Sequence, residues 1–262
     1  MTTTLDRPTA PARRPGRASV STPSPRAATA TYVWLILAAV LLLFPVLLTV
    51  VGGFVPTSIL QNRPPGLLSG GYSVDNYGTA WTQRVVPLLP AIGHSLFVGV
   101  TIMIAHVVTS CLAAYALVFV RTPLRRPLFW LFMATIMVPY EAIVVPNALF
   151  VRSLGLGDNA WSLVLPFLAN GFGIFLMRQA FMQFPTELWH AAQIDGCGHL
   201  RFLCTIVVPA CRPSITALAV WSFLQGWNMY FWPLIISLKS DLNTLQTAVF
   251  ALQSNESNQP GL

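Results

Sequence analysis

Two long apolar runs without a charged side chain most constrain how this chain can fold. Residues 32–55 and 95–120 contain no Asp, Glu, Lys or Arg, and an α-helix needs about 20 such residues to cross the hydrocarbon core of a bilayer. Only 9% of all residues are charged, against about 25% in a soluble domain. Because a spanning segment must satisfy its backbone polar groups internally, both runs are predicted to be transmembrane helices.

Three further apolar runs raise the prediction to five transmembrane spans. The third covers residues 128–151 and contains Glu141 near its middle, the fourth covers residues 161–177, and the fifth covers residues 207–238. The fifth is long enough to cross with a tilt, whereas the apolar stretch after Lys239 is too short to cross. The predicted fold class is therefore an all-α, polytopic membrane protein built as a helical bundle.

The predicted organisation follows from these runs and from the segments between them. The N-terminal tail is rich in Pro, Ala, Thr, Ser and Arg and poor in large apolar side chains, a composition typical of disorder. Turn sequences and aromatic residues after the first span indicate an external loop. The boundaries are residues 1–31 for a disordered cytoplasmic tail, 32–55 for the first transmembrane helix, 56–94 for the external loop, 95–238 for a core that contains a polar loop at 185–209, and 239–262 for the C-terminal segment.

The distribution of basic residues predicts the orientation. With the N-terminus in the cytoplasm, eleven of the 15 Lys and Arg side chains fall on the cytoplasmic side and four fall outside, as the positive-inside rule requires. The chain is therefore predicted to be a multi-pass protein of the cell membrane with a cytoplasmic N-terminus. This topology also accounts for the net charge of +7. The sequence has no basic patch interleaved with aromatic residues, which is the pattern that would indicate nucleic-acid binding.

The cysteines and histidines do not form a recognisable catalytic or metal site. Cys197, Cys204 and Cys211 recur every seven residues, but a proline and glycines interrupt any continuous helix, so packing thiols are favoured over metal ligands. His94 and His106 have no partner nearby in sequence, which favours packing or hydrogen bonding within the bundle. The sequence shows neither the converging ionisable groups of a membrane enzyme nor the repeats or ion-coupling site of a secondary transporter.

A polar, helix-forming segment, P-T-E-L-W-H-A-A-Q-I-D-G, lies between the fourth and fifth spans on the predicted cytoplasmic side. Pro185 suits the start of a helix, Glu187 in the first turn suits the helix dipole, and Gly196 suits a left-handed C-terminal position. A second short helix would carry Phe202 and Ile206 on one face. Composition alone leaves open an ordinary amphipathic loop lying on the membrane.

The same segment resembles the cytoplasmic EAA loop of permease subunits of binding-protein-dependent ABC importers. Seven positions match the pattern at fixed spacing: Ala191, Ala192, Asp195, Gly196, Phe202, Ile206 and Pro209. The resemblance implies a coupling helix that docks into a groove on an ATP-binding subunit, with Glu187 and His190 also at that interface. His190 replaces the Glu that usually heads the motif, and Glu187 lies one turn earlier.

Further motifs resemble the carbohydrate-uptake branch of this family, closest to the E-type permeases of glycerol-3-phosphate and glycerophosphodiester importers. They are V-P-Y-E-A at residues 138–142, F-L-M-R-Q-A-F at residues 175–181 and G-W-N-M-Y-F-W-P-L at residues 226–234. The implied solute is glycerol-3-phosphate or a glycerophosphodiester such as glycerophosphocholine. Disaccharide permeases share elements of the last motif, so a maltose- or trehalose-like sugar stays an alternative.

The resemblance also implies the partners. A second permease subunit, two copies of an ATP-binding subunit and an extracytoplasmic substrate-binding protein would complete an ATP-driven importer in the bacterial inner membrane. ATP and Mg²⁺ would be bound by the ATP-binding subunits, so this chain is expected to hold no cofactor and to catalyse no reaction. Family members normally carry six spans, and we expect truncation to explain the absence of the sixth here.

Polar and aromatic residues within the spans are candidates for the solute path, because polar side chains at membrane depth face an aqueous cavity or another helix. Ser222, Gln225, Asn228 and Trp232 recur at steps of three, three and four residues and would form one helical stripe. A charge near mid-span is costly, so Glu141 should be paired, protonated or facing the cavity. Contacts that hold helices together are the alternative role for each residue. The candidate set is Glu141, Asn147, Asn170, Ser222, Gln225, Trp227, Asn228, Tyr230 and Trp232.

Overall fold

The structure is a computed structural model that describes residues 25–56, 71–82, 87–157, 159–237 and 242–257. Within these ranges all regular secondary structure is helical, which confirms the predicted all-α class. The chain divides into two compact units, Met1–Tyr77 and Gly78–Leu262. The predicted tail up to residue 24 and the part of the predicted external loop at 57–70 lie outside the described residues.

The first unit contains the long helix α1, Pro25–Gly53. It begins before the apolar run, so residues 25–31 are helical and not disordered as predicted. A proline fits the first turn of a helix and the alanines that follow favour helix. At the other end, the side-chain amide of Asn76 donates to the carbonyl oxygens of Gly53 (3.3 Å) and Val55 (2.7 Å). Carbonyls at a helix end have no intrahelical partner, so Asn76 caps α1.

The remaining helices follow with short breaks. They are α2 (Asp75–Thr82), α3 (Leu88–Phe119), α4 (Arg125–Met137), α5 (Tyr140–Ser153), the 3₁₀ helices Ala160–Leu163 and Leu165–Phe167, α6 (Gly171–Met182), α7 (Thr186–Ile194), α8 (His199–Phe202), a π-helix at Leu203–Val207, α9 (Val208–Ala210), α10 (Arg212–Trp227), α11 (Phe231–Ile236) and α12 (Leu245–Ser257). Helix α3 packs along both α6 and α10 and forms the centre of the second unit. Helix α3 also begins earlier than predicted. Residues 88–94 belong to it, so the external loop predicted at 56–94 is shorter.

Small residues let α3, α6 and α10 approach closely. A Cβ on Gly226 of α10 would lie 2.9 Å from the Cα of Gly99 on α3. A Cβ on Gly173 of α6 would meet the hydroxyl of Ser110 on α3 and come within 3.2 Å of Leu218 on α10. Small residues at crossings are typical of packed membrane helices, since they let the backbones meet. These crossings therefore leave no room for a larger side chain.

The candidate spans are of two kinds. Ala28–Gly53 and Leu88–Phe119 are each long and apolar enough to cross a membrane without a break. Three more are pairs of helices bent by 99°, 49° and 85°, so the described residues offer up to five spans by length and composition. The predicted continuous span 128–151 is wrong, because the chain breaks between α4 and α5. Proline disfavours helix in the residue before it, and Val138, which precedes Pro139, is extended with ψ of 118°.

This break changes the setting of Glu141. The residue lies in the first turn of α5, beside the 99° bend, and its side chain is exposed. An acidic side chain is favourable at the N-terminal end of a helix. Glu141 is therefore at a helix terminus and not near the middle of an unbroken span as predicted.

Candidate functional site

Helix α7 is held on the membrane helices by one face. Trp189 and Ala192 are buried there, and the Trp189 ring centroid lies 4.7 Å from that of Phe202 and 4.8 Å from that of His199. Phe202 is fully buried and meets Phe119 of α3, with 5.5 Å between ring centroids. Buried aromatic side chains contribute large apolar contact areas. The Trp189 ring also lies 6.3 Å from that of Phe119, so the packing anchors α7 directly to α3.

The opposite face of α7 and the turn beyond it are exposed. Ile194 at the end of α7 is 87% exposed, and Leu200 at the start of α8 is 71% exposed. Exposed apolar side chains surrounded by polar ones are typical of a protein interface. Five of the predicted coupling residues are on this exposed side: Glu187, His190, Ala191, Asp195 and Gly196. The predicted coupling set is therefore divided between residues that anchor α7 and residues that it presents.

The turn that ends α7 is a Schellman motif. Gly196 has a φ of +71°, which confirms the left-handed conformation predicted for it. The amide of Cys197 donates to the carbonyl of Ala192 at 2.8 Å, and the amide of Gly196 donates to that of Gln193 at 3.1 Å. These two hydrogen bonds satisfy carbonyls that the helix leaves without a partner. They hold the exposed end of α7 in one conformation.

The segment after this turn returns to the membrane helices. The Tyr115 hydroxyl on α3 lies 2.8 Å from Nδ1 of His199, which ties the start of α8 to α3. The chain then continues through the π-helix Leu203–Val207, where Ile206 and the following Pro209 are half-buried. Single turns of π-helix occur frequently at functional sites. A short and irregular connection therefore links α7 to α10.

A cavity of about 450 Å³ lies in the second unit, between α3, the start of α5, the second 3₁₀ helix and the α10–α11 connection. Its volume is within the range of small-molecule sites. It is lined by Ile102, His106, Tyr140, Phe167, Ala169, Asn170, Trp221, Gln225, Gly226, Asn228, Met229, Tyr230 and Phe231. These side chains combine aromatic rings with amides, so the cavity offers both apolar surface and hydrogen-bonding groups.

His106 joins three elements at the edge of this cavity. Its Nε2 lies 2.7 Å from the carbonyl oxygen of Phe167, and its Nδ1 lies 3.0 Å from the hydroxyl of Ser222 on α10. A carbonyl can only accept, so Nε2 carries a proton and donates; in the neutral ring Nδ1 then accepts from Ser222. This network confirms the prediction that His106 bonds within the bundle.

The cysteines contribute packing to the same unit. All four carry free thiols, and the Cys111 thiol lies 3.8 Å from the sulfur of Met177. Within the described residues, no group of three or more His, Cys, Asp or Glu side chains is placed to hold a metal ion. Cys111, Cys197 and Cys211 pack in the apolar core as small side chains, whereas Cys204 is exposed.

Comparison with known proteins decides the family. The profile of the family described as "binding-protein-dependent transport system inner membrane component" matches residues 106–261, which include the α7 segment and all the described cavity-lining residues except Ile102. The chain belongs to this family. It is a membrane permease subunit of a binding-protein-dependent transport system.

Curated relatives extend the match beyond this region. The sn-glycerol-3-phosphate transport system permease protein UgpE of Escherichia coli (strain K12) is 34% identical over 218 residues, which cover 82% of this chain and 78% of the relative. The protein of the same name from Yersinia pestis bv. Antiqua (strain Antiqua) is 33% identical over 227 residues, covering 85% and 81% of the two chains.

A solved structure supports the permease fold. It is that of a bacterial ABC transporter involved in the import of the acidic polysaccharide alginate, which this chain matches with a TM-score of 0.76 and 21% identity. The match covers 89% of this chain and 81% of that chain.

The permease cavity brings together only some of the residues predicted for the solute path. Asn170, Gln225, Asn228 and Tyr230 line it. Two others are fully buried in packing: Ser222 bonds to His106, and the indole N–H of Trp232 donates to the carbonyl of Ser162 at 3.0 Å. Three predicted residues are not among the described residues that line the cavity: Glu141, Asn147 and Trp227.

The predicted helical stripe is wrong because α10 ends too early. Trp227 is its last residue and Asn228 is its C-cap, so Trp232 belongs to the separate helix α11. Sequence reasoning missed the other residues that line the cavity, and three of these carry side-chain N–H or O–H groups: His106, Tyr140 and Trp221. His106 and Trp221 stand inside apolar runs of the sequence, and the packing of α3 against α10 brings them to the cavity.

Proposed function

We propose that this permease forms, with a second permease subunit, the membrane path for glycerol-3-phosphate or glycerophosphodiesters such as glycerophosphocholine. The named function of relatives that are 33% and 34% identical over most of the chain supports this solute class. The cavity between α3, α5 and α10 supports a small polar solute, since amides and aromatic rings line it together.

One of two copies of an ATP-binding subunit is proposed to dock on the exposed side of α7. The two copies would hydrolyse ATP, while an extracytoplasmic binding protein delivers the solute. The observation that carries this proposal is the pairing of an anchored face at Trp189 with a highly exposed Ile194 on one short helix. A rigidly held helix can transmit the closure of its partner to the membrane helices. The orientation that places α7 in the cytoplasm also places the N-terminus there, in line with the distribution of basic residues.

Reconstitution tests the proposal. The permease is inserted into proteoliposomes with its second permease and ATP-binding subunits, and binding protein is added outside. We expect ATP-dependent uptake of labelled glycerol-3-phosphate or glycerophosphocholine and a rise in ATP hydrolysis when loaded binding protein is present. Uptake of maltose or trehalose in place of both phosphate esters would contradict the proposed solute and support the sugar alternative.

Glu141 is expected to favour a zwitterionic phosphodiester over a phosphate monoester. It is exposed and follows Tyr140, which lines the cavity. A carboxylate attracts the choline end of glycerophosphocholine and repels the phosphate of glycerol-3-phosphate. Glu141→Gln should lower the initial rate of glycerophosphocholine uptake by roughly twofold to fivefold, the effect of an exposed charge pair, and should not lower glycerol-3-phosphate uptake. Equal losses for both solutes would indicate a structural role for Glu141.

A further inference from the structure

The cap of helix α6 determines which atoms Asn170 can offer to a solute. Its Oδ1 accepts hydrogen bonds from the backbone amides of Phe172 (2.7 Å) and Gly173 (3.3 Å). Backbone amides only donate, so the atom facing them must be the amide oxygen. Asn170 lines the cavity, and the part of its side chain that remains for a solute is the NH₂ group with two donors.

Asn228 has a similar arrangement on the other side of the cavity. Its Oδ1 accepts from Nε2 of Gln246 at 3.3 Å, and in this orientation of the two amides the NH₂ group of Asn228 is left as the donor. His106 is not available in this way, because its Nε2 donates to the carbonyl of Phe167. The cavity therefore offers neutral N–H donors from both asparagines, which match a solute rich in oxygen acceptors.

The charge of the cavity limits which acceptors it can take. Among the described residues that line it, none is Lys, Arg, Asp or Glu. Removing a doubly charged phosphate from water without a positive partner is very costly. A phosphodiester carries one negative charge, and its oxygens can be satisfied by neutral N–H donors. The choline end of a glycerophosphodiester would also meet aromatic rings, which attract cations.

We propose that this cavity is a specificity filter that binds a glycerophosphodiester as its monoanion, through the amide donors of Asn170 and Asn228, and discriminates against the glycerol-3-phosphate dianion. The proposal rests on the proposed function and selects between its two solutes. Asn170 and Asn228 are specificity-determining residues in this filter. The phosphate oxygens accept hydrogen bonds from the NH₂ groups of Asn170 and Asn228. The aromatic walls contact the parts of the ester on either side of the phosphate.

Two substitutions remove the amide donors of Asn170 and can keep its helix cap: Asn170→Ser and Asn170→Asp. Ser and Asp are both good N-cap residues, so each can keep the hydrogen bonds that start α6. Ser removes the two donors, and Asp also places a negative charge in the cavity. We expect glycerophosphocholine uptake by the complete complex to fall by about tenfold to a hundredfold in Asn170→Ser, as for lost hydrogen bonds to a charged group. The loss should be larger in Asn170→Asp.

Asn159→Asp is the matched control. The Oδ1 of Asn159 also caps a helix, accepting from the backbone amide of Trp161 at 3.0 Å, but Asn159 is outside the described cavity lining. Glycerophosphocholine uptake by the complex with Asn159→Asp should equal that of the wild type. Normal glycerophosphocholine uptake by Asn170→Asp, with the protein folded and assembled, would overturn the proposed filter.

Solute charge provides a test on the wild-type complex. The second pKa of a phosphate monoester is about 6, so lowering the external pH from about 7.5 to about 5.5 converts most glycerol-3-phosphate to its monoanion. Glycerophosphocholine keeps its charge over this range. With rates corrected for the affinity of the binding protein at each pH, we expect glycerol-3-phosphate uptake to rise by roughly tenfold relative to glycerophosphocholine uptake.

The outcomes separate the filter from the proposed function. Uptake of both phosphate esters with a pH-independent ratio would leave the proposed function standing and would overturn the filter. Uptake of a disaccharide and of neither phosphate ester would overturn both. A rising ratio together with selective loss in the Asn170 variants would support both.

Discussion

Gly196→Val is expected to abolish solute uptake and to leave membrane insertion intact. Gly196 has a φ of +71°, where a Cβ costs about 1 to 2 kcal/mol and a β-branched side chain is a genuine outlier. The Schellman turn would open, and the exposed Ile194 would lose the position in which it is proposed to meet the ATP-binding subunit. We expect uptake, and the stimulation of ATP hydrolysis by loaded binding protein, to fall by about tenfold or more.

Gly198→Val controls for the added bulk. At both glycines an added Cβ would have no atom within 4 Å outside its immediate neighbours. Gly198, however, is extended, with φ of −72° and ψ of 161°, which valine adopts readily. Transport should therefore be retained in Gly198→Val, and also in His190→Glu, which restores the usual residue of the family on the exposed face. Normal transport and normal stimulation in Gly196→Val would show that the segment is a passive surface loop.

Gly226→Val is expected to prevent the central helices of the permease from packing. The first atom of the new side chain would lie 2.9 Å from the Cα of Gly99 and 3.3 Å from the carbonyl oxygen of Val98. These are backbone atoms, so no side-chain rotation can make room. Overpacking costs about 1 to 3 kcal/mol where the neighbours can adjust, and we expect at least the upper value here. The variant should show a much lower thermal unfolding midpoint in detergent or fail to assemble.

Gly93→Val is the matched variant for this measurement. Gly93 lies on α3, on the same helix as Gly99, but an added Cβ there would have no atom within 4 Å. Both variants replace a helical glycine by the same side chain, so differences in helix propensity largely cancel. The unfolding midpoint should therefore fall only in Gly226→Val. Similar midpoints in the two variants would contradict the close crossing of α3 and α10.

The α7 turn could be predicted because its hydrogen bonds join near neighbours. The bond from Cys197 to Ala192 spans five residues, and a glycine at the end of a polar helical segment is the usual sign of such a turn. The third span shows the opposite case. Its apolar length was correctly recognised, but the bend of 99° at Val138 and Pro139 moved Glu141 to a helix terminus. Hydropathy averages over a window and does not report the direction of the chain.

The lining of the cavity could be predicted much less fully, because it depends on contacts between distant parts of the chain. His106 and Ser222 are 116 residues apart, and their hydrogen bond removes Ser222 from the candidate path. Trp232 was placed on the same helical stripe as Ser222, but α10 ends at Trp227. Asn170 was identified as a polar residue of the path, whereas its role as an N-cap decides that only its NH₂ group remains free for a solute.

The sequence by itself determined the membrane class, the all-α fold, the family and the turn that ends α7, because apolar length and turn chemistry are properties of contiguous residues. Only the tertiary structure decided which side of α7 is exposed, where the spans bend and which polar groups the cavity offers. A side chain contributes to a site only through the groups that its own neighbours leave unbonded. In this permease those neighbours come from α3, α6, α10 and α12, which are far apart along the chain.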